Sequence, residues 1–405
     1  MKRIINRQFS LSLSLSLALA LTLSFISCSN EDFLTTLSDQ DFATEQQREL
    51  AKTQMVFALG TENLISKASI KYLPWKTGDP TTIGVYGLHD RNMTSKIFDN
   101  QLVQTEDEGL TWTYTPVQYW ADFTSYRTFD FFGYMPKVAN DTSEPESPRN
   151  GAKLEKDPEA EEYTLSFPVT LPNSVINDVS NVPLICATPV HKTKVGEVIS
   201  YYMDKTMTGF SLKFKLGDKM SNIRDFVIKQ VKIKGAIGAL PTYGVVSRTY
   251  TYVPSTDSWT AGDITWSDIA TNAAAIDYEV PFVDHDNEGT IYVPGGVAGT
   301  GTLRIGYSNP GAESQWGANF YAIPSASFTP TIEVKYDVTV QDEEGNYIET
   351  RTNITNTIQF SNGYFEAYTS GGSVDQLHTI LVQIVPDYLY VLADADQRAS
   401  WLLLE

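Results

Sequence analysis

Ten residues, Thr331-Ile-Glu-Val-Lys-Tyr-Asp-Val-Thr-Val340, carry an apolar side chain at every second position without a break. Period two is the repeat of an extended strand, whose successive side chains point to opposite faces. A segment so patterned has one dry face and one wet face, and it needs another layer to cover the dry one. The next residues, Asp342-Glu-Glu-Gly345-Asn346, are turn chemistry and predict a hairpin into residues 347–354. The same alternation runs through 163–167 and 210–216, and through 227–233 with a slip in register. With 22 Tyr, 19 Phe and 7 Trp spread among 26 Gly and 19 Pro, the composition favours many short strands, hence an all-β chain. No repeat of about 20–50 residues is present, which disfavours a solenoid or propeller. Helical signals are few: residues 39–52 read as a short helix or a solvated tether, and 391–403 are ambiguous. The polar, turn-rich residues 140–158 read as an exposed loop.

The N-terminus limits where such a chain works. Lys2, Arg3 and Arg7 precede an uncharged run, residues 9–27, in which serine takes every second position from Ser10 to Ser16. A basic segment followed by an apolar one reads as a secretory signal. A retained membrane helix is the rival, but Cys28 directly after Ser27 turns the reading toward a lipoprotein signal, cut before an acylated cysteine. The segment resembles a bacterial lipobox, with Phe25 in place of the usual leucine. Several acyl chains would anchor the mature chain stably. Ser29-Asn30-Glu31-Asp32 resembles the acidic export tag of surface lipoproteins. Loss of residues 1–27 removes three basic side chains and no acid, so the formal charge falls from −19 to −22. That balance argues against nucleic acid as a partner. With Cys28 acylated, Cys186 has no disulfide partner and reads as a small buried hydrophobe.

Catalytic signals are sparse. The four histidines, His89, His191, His285 and His378, show no zinc-protease spacing. No nucleophile elbow, phosphate loop or dinucleotide fingerprint occurs, and no carboxylate pair is singled out by its context. The expectation is a protein that is not an enzyme and carries no cofactor or metal. Asp284-His285-Asp286-Asn287-Glu288 is the densest set of oxygen ligands, where alternate acids would suit calcium, and it reads as a polar loop. Asp394 and Asp396 read the same way. Ten aromatic residues crowd into 112–134. They would either fill a sandwich core or, if exposed, stack on sugars, which makes a surface glycan-binding lipoprotein the alternative function. A hydrolase with an unrecognised pair of carboxylates is a third reading.

Motif order adds a resemblance. Trp75, Gly78 and Asp79 followed by Ile83-Gly84-Val85-Tyr86, then Tyr114, Pro116, Tyr119 and Trp120, then Phe131-Phe132-Gly-Tyr134-Met-Pro136, resemble the signatures of fimbrillin-like proteins. Phe214-Lys-Leu216-Gly-Asp218 is similar to the strand that opens the second half of that family, with Asp218 where the family often has histidine. The resemblance covers about residues 70–235. It implies two tandem transthyretin-like β-sandwich domains in a surface lipoprotein of the outer membrane, working as a fimbrial subunit or fimbria-associated adhesin. It further implies assembly with other subunits by strand addition, after an arginine- or lysine-specific protease removes the first strand. A bacterial or host surface ligand would be the partner of a terminal subunit.

The expected division is a signal over 1–27, a tether or N-terminal segment over 28–52, one sandwich over 53–200 and a second over 201–405. The first strand is expected within 53–59, with Arg48 or Lys52 before it, or Lys67 or Lys71 after it, as processing points. The donor strand is expected in 379–385 or 388–392.

Overall fold

The computed structural model describes residues 45–60, 82–106, 111–138, 151–177, 181–216, 224–280, 282–284, 291–292, 303–306, 316–342, 344–361, 363–368, 377–385 and 388–394. Cys28, Lys67 and Lys71 lie outside them, as do residues 285–288 and Asp396. Helix α1 (Glu45–Ala51) precedes strand β1 (Phe57–Gly60), the hairpin β2 (Thr82–His89) and β3 (Lys96–Gln104), and β4 (Phe129–Met135). Next come β5 (Lys153–Lys156), β6 (Glu162–Thr170), β7 (Val175–Ile176), β8 (Leu184–Cys186), β9 (Val190–Lys192), β10 (Ile199–Lys205) and β11 (Thr208–Leu216). Long strands follow: β12 (Arg224–Gly235), β13 (Pro241–Val253) and β14 (Ser258–Thr271). Short ones separate these from the second long hairpin: β15 (Ile276–Val280), β16 (Phe282–Asp284), β17 (Ile291–Tyr292), β18 (Leu303–Gly306) and β19 (Trp316–Ala322). That hairpin is β20 (Thr331–Gln341) and β21 (Tyr347–Gln359), and the chain continues through β22 (Leu377–Val385) and β23 (Tyr388–Asp394). The fold is all-β.

Three sheets form. One runs β1-β10-β8-β4-β2-β3, with β9 added on β4; a four-stranded sheet runs β14-β13-β6-β5. The largest runs β15-β12-β20-β21-β23-β22-β11-β19-β16-β17 and takes in β7 and β18. The first two sheets pack through aromatic rings. Phe132 of β4 meets Tyr163, Tyr250 and Trp259 at centroid distances of 5.8, 5.6 and 5.4 Å, and Tyr134 stacks on Phe167 at 4.5 Å. The opposite face of β4 is covered as well, with Phe129 and Phe131 against Trp120 at 5.3 and 6.3 Å. All seven residues of β4 are therefore buried, which is why Phe-Asp-Phe-Phe-Gly-Tyr-Met shows no alternation.

The largest sheet surrounds the second core. β11, β19 and β22 supply Phe210, Phe320 and Val382, while β12 and β20 supply Ile228, Val231, Ile332 and Tyr336. β20 alternates buried and half-buried residues as its sequence requires. The Asp342 turn closes it: the Asn346 amide donates to Asp342 Oδ1 at 2.6 Å, and Gly345 takes the left-handed φ of 86°. The slip at 227–233 is a β-bulge between Ile228 and Gln230, which restores Val231 to the buried face.

The chain crosses between the two cores in both directions. β13 pairs antiparallel with β6 from Tyr243↔Thr170 to Thr251↔Glu162, so Val246, Tyr250 and Trp259 join the first core from beyond position 201. In return, β7 pairs with β19 through Tyr321↔Ile176 and Ala322↔Val175. Cys186 is fully buried, its Sγ 3.1 Å from Tyr250 Oη, and burial pushes its thiol pKa up.

Candidate functional site

Of the aromatic residues in 112–134, Trp112, Trp120, Phe129, Phe131, Phe132 and Tyr134 are buried, Tyr114, Phe123 and Tyr126 are half-buried, and Tyr119 is exposed. One open ring makes no platform, so the sugar-stacking version of this segment finds no surface here. Its rings instead build the seat of β1.

Among the described residues β1 is a four-residue strand at one edge of its sheet, paired parallel to β10 with Phe57↔Ile199 and Ala58↔Ser200 in register. Phe57 is fully buried, stacked on Tyr201 at 6.3 Å and edge-on to Phe98 and Tyr114 at 5.6 and 5.4 Å. The backbone leading to it is tied to the 114–120 segment. Met55 N–H donates to Gln118 O at 2.9 Å, Trp120 N–H to Thr53 O at 3.1 Å, and Tyr114 Oη to Met55 O at 2.8 Å. Burial pushes the Tyr114 phenol up to about 12, so it stays a donor.

Helix α1 lies against the other side of β1, where Ala51, Val56, Ala58 and Val198 form a small cluster. Arg48 sits inside the helix, 3.7 Å from Glu45, with 39% of its side chain exposed. Lys52 lies in the turn just past the helix, 63% exposed and 2.5 Å from Glu49. Of the two, Lys52 is the more accessible to a protease. The candidate donors occupy their own sheet: β22 pairs parallel with β11 from Gly209↔Leu377 to Leu216↔Ile384 and antiparallel with β23. Among the described residues β23 meets β21 at Ile358↔Leu389 and Gln359↔Tyr390 alone.

A second feature lies between the first sheet and the β13–β14 hairpin. Asp130, in the middle of β4, is fully buried. His191 Nδ1 approaches its Oδ1 to 2.6 Å, Trp259 Nε1–H donates to the same oxygen at 2.7 Å, and Arg91 Nη1 stands 3.9 Å from Oδ2. On its far side, His191 Nε2 lies 3.3 Å from Asp257 Oδ1, and Tyr252 Oη donates to that same carboxylate. The Arg91 guanidinium stacks 3.8 Å over the Tyr252 ring. The Asp130 hydrogen bond, aided by Asp257, raises the His191 pKa above its usual value against the opposing effect of burial. The sequence marks none of these residues for chemistry by motif or spacing, His191 standing only as one of four scattered histidines. The usable signal was Asp130 itself, because a carboxylate inside an aromatic strand must find buried partners.

Among the described residues no helix is long and apolar enough to cross a membrane, and no group of three His, Cys, Asp or Glu is placed to hold a metal ion. Asp284 ends β16 and Asp394 ends β23.

No family model matches the chain, and no curated protein matches it. Solved structures do resemble it. A fimbrial protein of Bacteroides vulgatus aligns at 12% identity with a TM-score of 0.44, over 84% of this chain and 98% of its own. A candidate cell adhesion protein of Parabacteroides distasonis gives 11% and 0.37, over 82% and 91%. Another from Bacteroides ovatus gives 11% and 0.36, over 87% and 98%.

Proposed function

We propose that this protein is a surface-exposed outer-membrane lipoprotein that serves as a fimbrial subunit or fimbria-associated adhesin, joining its neighbours by β-strand exchange. The observation that carries the reading is β1: a short edge strand with one large side chain, Phe57, seated in an aromatic pocket, just behind an exposed lysine. Cleavage at Lys52 or Arg48 would release α1 and leave β1 tethered only at its C-terminal end, so that a competing strand could displace it from its seat. Its departure would open the β10 edge and a pocket walled by Phe98, Tyr114, Phe131 and Tyr201. A strand from a neighbouring subunit would then pair with β10 through backbone hydrogen bonds, and its alternate side chains would fill the vacated pocket. Such a donor needs a large apolar side chain at the position that faces Ile199. The stretch 388–392 fits this role better than 379–385, since β23 has the shorter pairing with a second neighbour. The work is mechanical, with no chemical turnover.

Limited digestion with trypsin tests the assembly. Electron microscopy is expected to show filaments after cleavage at Lys52 or Arg48, and none from a chain with both residues changed to Gln. Monomers that persist after complete cleavage would sink the strand-exchange reading. The anchor is tested separately: Cys28→Ala is expected to move the protein from the membrane fraction to the soluble fraction, and unchanged fractionation would count against lipidation.

A further inference from the structure

Among the described residues three strand pairs run parallel, and two of them fall on consecutive strands. β1 lies parallel to β10 from Phe57↔Ile199 to Gly60↔Tyr202. β22 lies parallel to β11 over a longer ladder, from Gly209↔Leu377 to Leu216↔Ile384. Thr206 and Met207 alone separate β10 from β11, so one run of backbone seats an early strand in one sheet and a late strand in another. The junction is pinned. Both residues are fully buried, the Thr206 N–H and Oγ–H donate to Pro183 O at 3.0 and 2.9 Å, and Trp266 Nε1–H donates to Thr206 O at 2.7 Å. On either side, Ile199 and Tyr201 enter the first core, and Phe210, Leu212 and Phe214 the second.

Parallel pairing decides how such a ladder answers force. When one strand is drawn by its N-terminal end and its parallel partner by its C-terminal end, the points of attack lie at opposite ends of the ladder. Its hydrogen bonds are then loaded together, in shear. In an antiparallel pair those two ends lie side by side, so the ladder opens from one edge, bond after bond. Strand exchange applies the shearing case twice. A donor from residues 388–392, seated in the sense of β1, is drawn from its N-terminal end by the β22 of its own subunit, while β10 is held from its C-terminal end by β11. β11 is in turn drawn from its N-terminal end, and β22 from the C-terminal end that leads to 388–392.

We propose that β10 and β11 form a load-bearing spine, which takes force from a seated donor strand and passes it to β22 through two parallel ladders in shear. The proposal rests on strand exchange as the source of the force, but the β11–β22 ladder is measured in a single chain, so the two readings fail separately. Optical tweezers would hold the purified full-length protein by DNA handles on introduced cysteines, with Cys28→Ser made and Cys186 left in place because it is fully buried. Val195→Cys, an exposed position ahead of β10, carries one handle throughout. Paired with Asp387→Cys, beyond β22, it loads the ladder in shear; paired with Asp375→Cys, ahead of β22, it opens the same ladder from one end. At equal loading rate the rupture force is expected to be about twofold higher for the first pair, because the whole ladder must then fail together. In the sheared geometry, Thr379→Pro, which removes a ladder hydrogen bond from β22, is expected to lower that force, and Thr350→Pro in β21, off the path, to leave it unchanged. Equal forces for the two handle pairs would overturn the proposal whether or not the proline variants fold, and so would a higher force when the ladder is opened from one end.

Discussion

The two cores solve the same burial problem in different ways. Around the second core, β20 buries one face and leaves the other half-buried, so its apolar side chains find their place from the local alternation. In the first core β4 is buried on both faces and carries a carboxylate inside, which only residues far along the chain can satisfy. The contrast teaches that regular amphipathic strands need only a layer to cover them. A doubly covered strand with a buried charge needs particular partners, here from β9 and β14.

Replacing a central ring is the strongest way to separate the cores. Phe131→Ala and Phe210→Ala are each expected to cost about 3–5 kcal/mol. Urea unfolding followed both at the tryptophans, of which Trp112, Trp120 and Trp259 sit in the first core, and by far-ultraviolet circular dichroism, which sees all strands, would show whether each variant shifts only its own transition. A common shift in both variants would mean that the cores unfold as one unit, and the comparison would have to be redrawn in those terms.

The charge cluster gives a smaller, pH-dependent difference. The folded pKa of His191 is raised, so its imidazolium stabilises the first core in full below the ordinary histidine value, near 6.5. That stability fades as pH rises through the higher folded value. His191→Gln is expected to cost about 2–3 kcal/mol at pH 6, the scale of a hydrogen bond to a charged group, and less at pH 9. Denaturant midpoints across that range would check this. A parent protein with a flat profile would break the claim that charge distinguishes the first core.

The weakest effect belongs to the exposed hairpin of the second region. Thr339 and Thr350 face each other across β20 and β21 with hydroxyls 3.0 Å apart. Thr339→Ala is expected to cost about 0.5 kcal/mol, read as a small midpoint shift. A loss of several kcal/mol would show that this hairpin is held by more than its own pairing.

Legibility in the sequence follows the same divide. Alternation revealed β6, β11 and β20, and the slip at 227–233 marked the bulge that re-aims Val231. Most rings of 112–134 go to a core, because so much aromatic surface in one segment is hard to leave in water. The alliance of Asp130 with His191 and Trp259 could not be read. It depends on side-chain hydrogen bonds between residues 61 and 129 positions apart, which no local pattern encodes. For the same reason nothing near position 250 announced that β13 would pair with β6.

That exchange has a mechanical consequence. Since β13 reaches back to β6, and β7 reaches forward to β19, each half of the molecule holds a strand lent by the other. Pulling the halves apart would have to tear two backbone ladders in addition to sliding two greasy surfaces past each other. A chain laced in this way can carry tension along its length as one link.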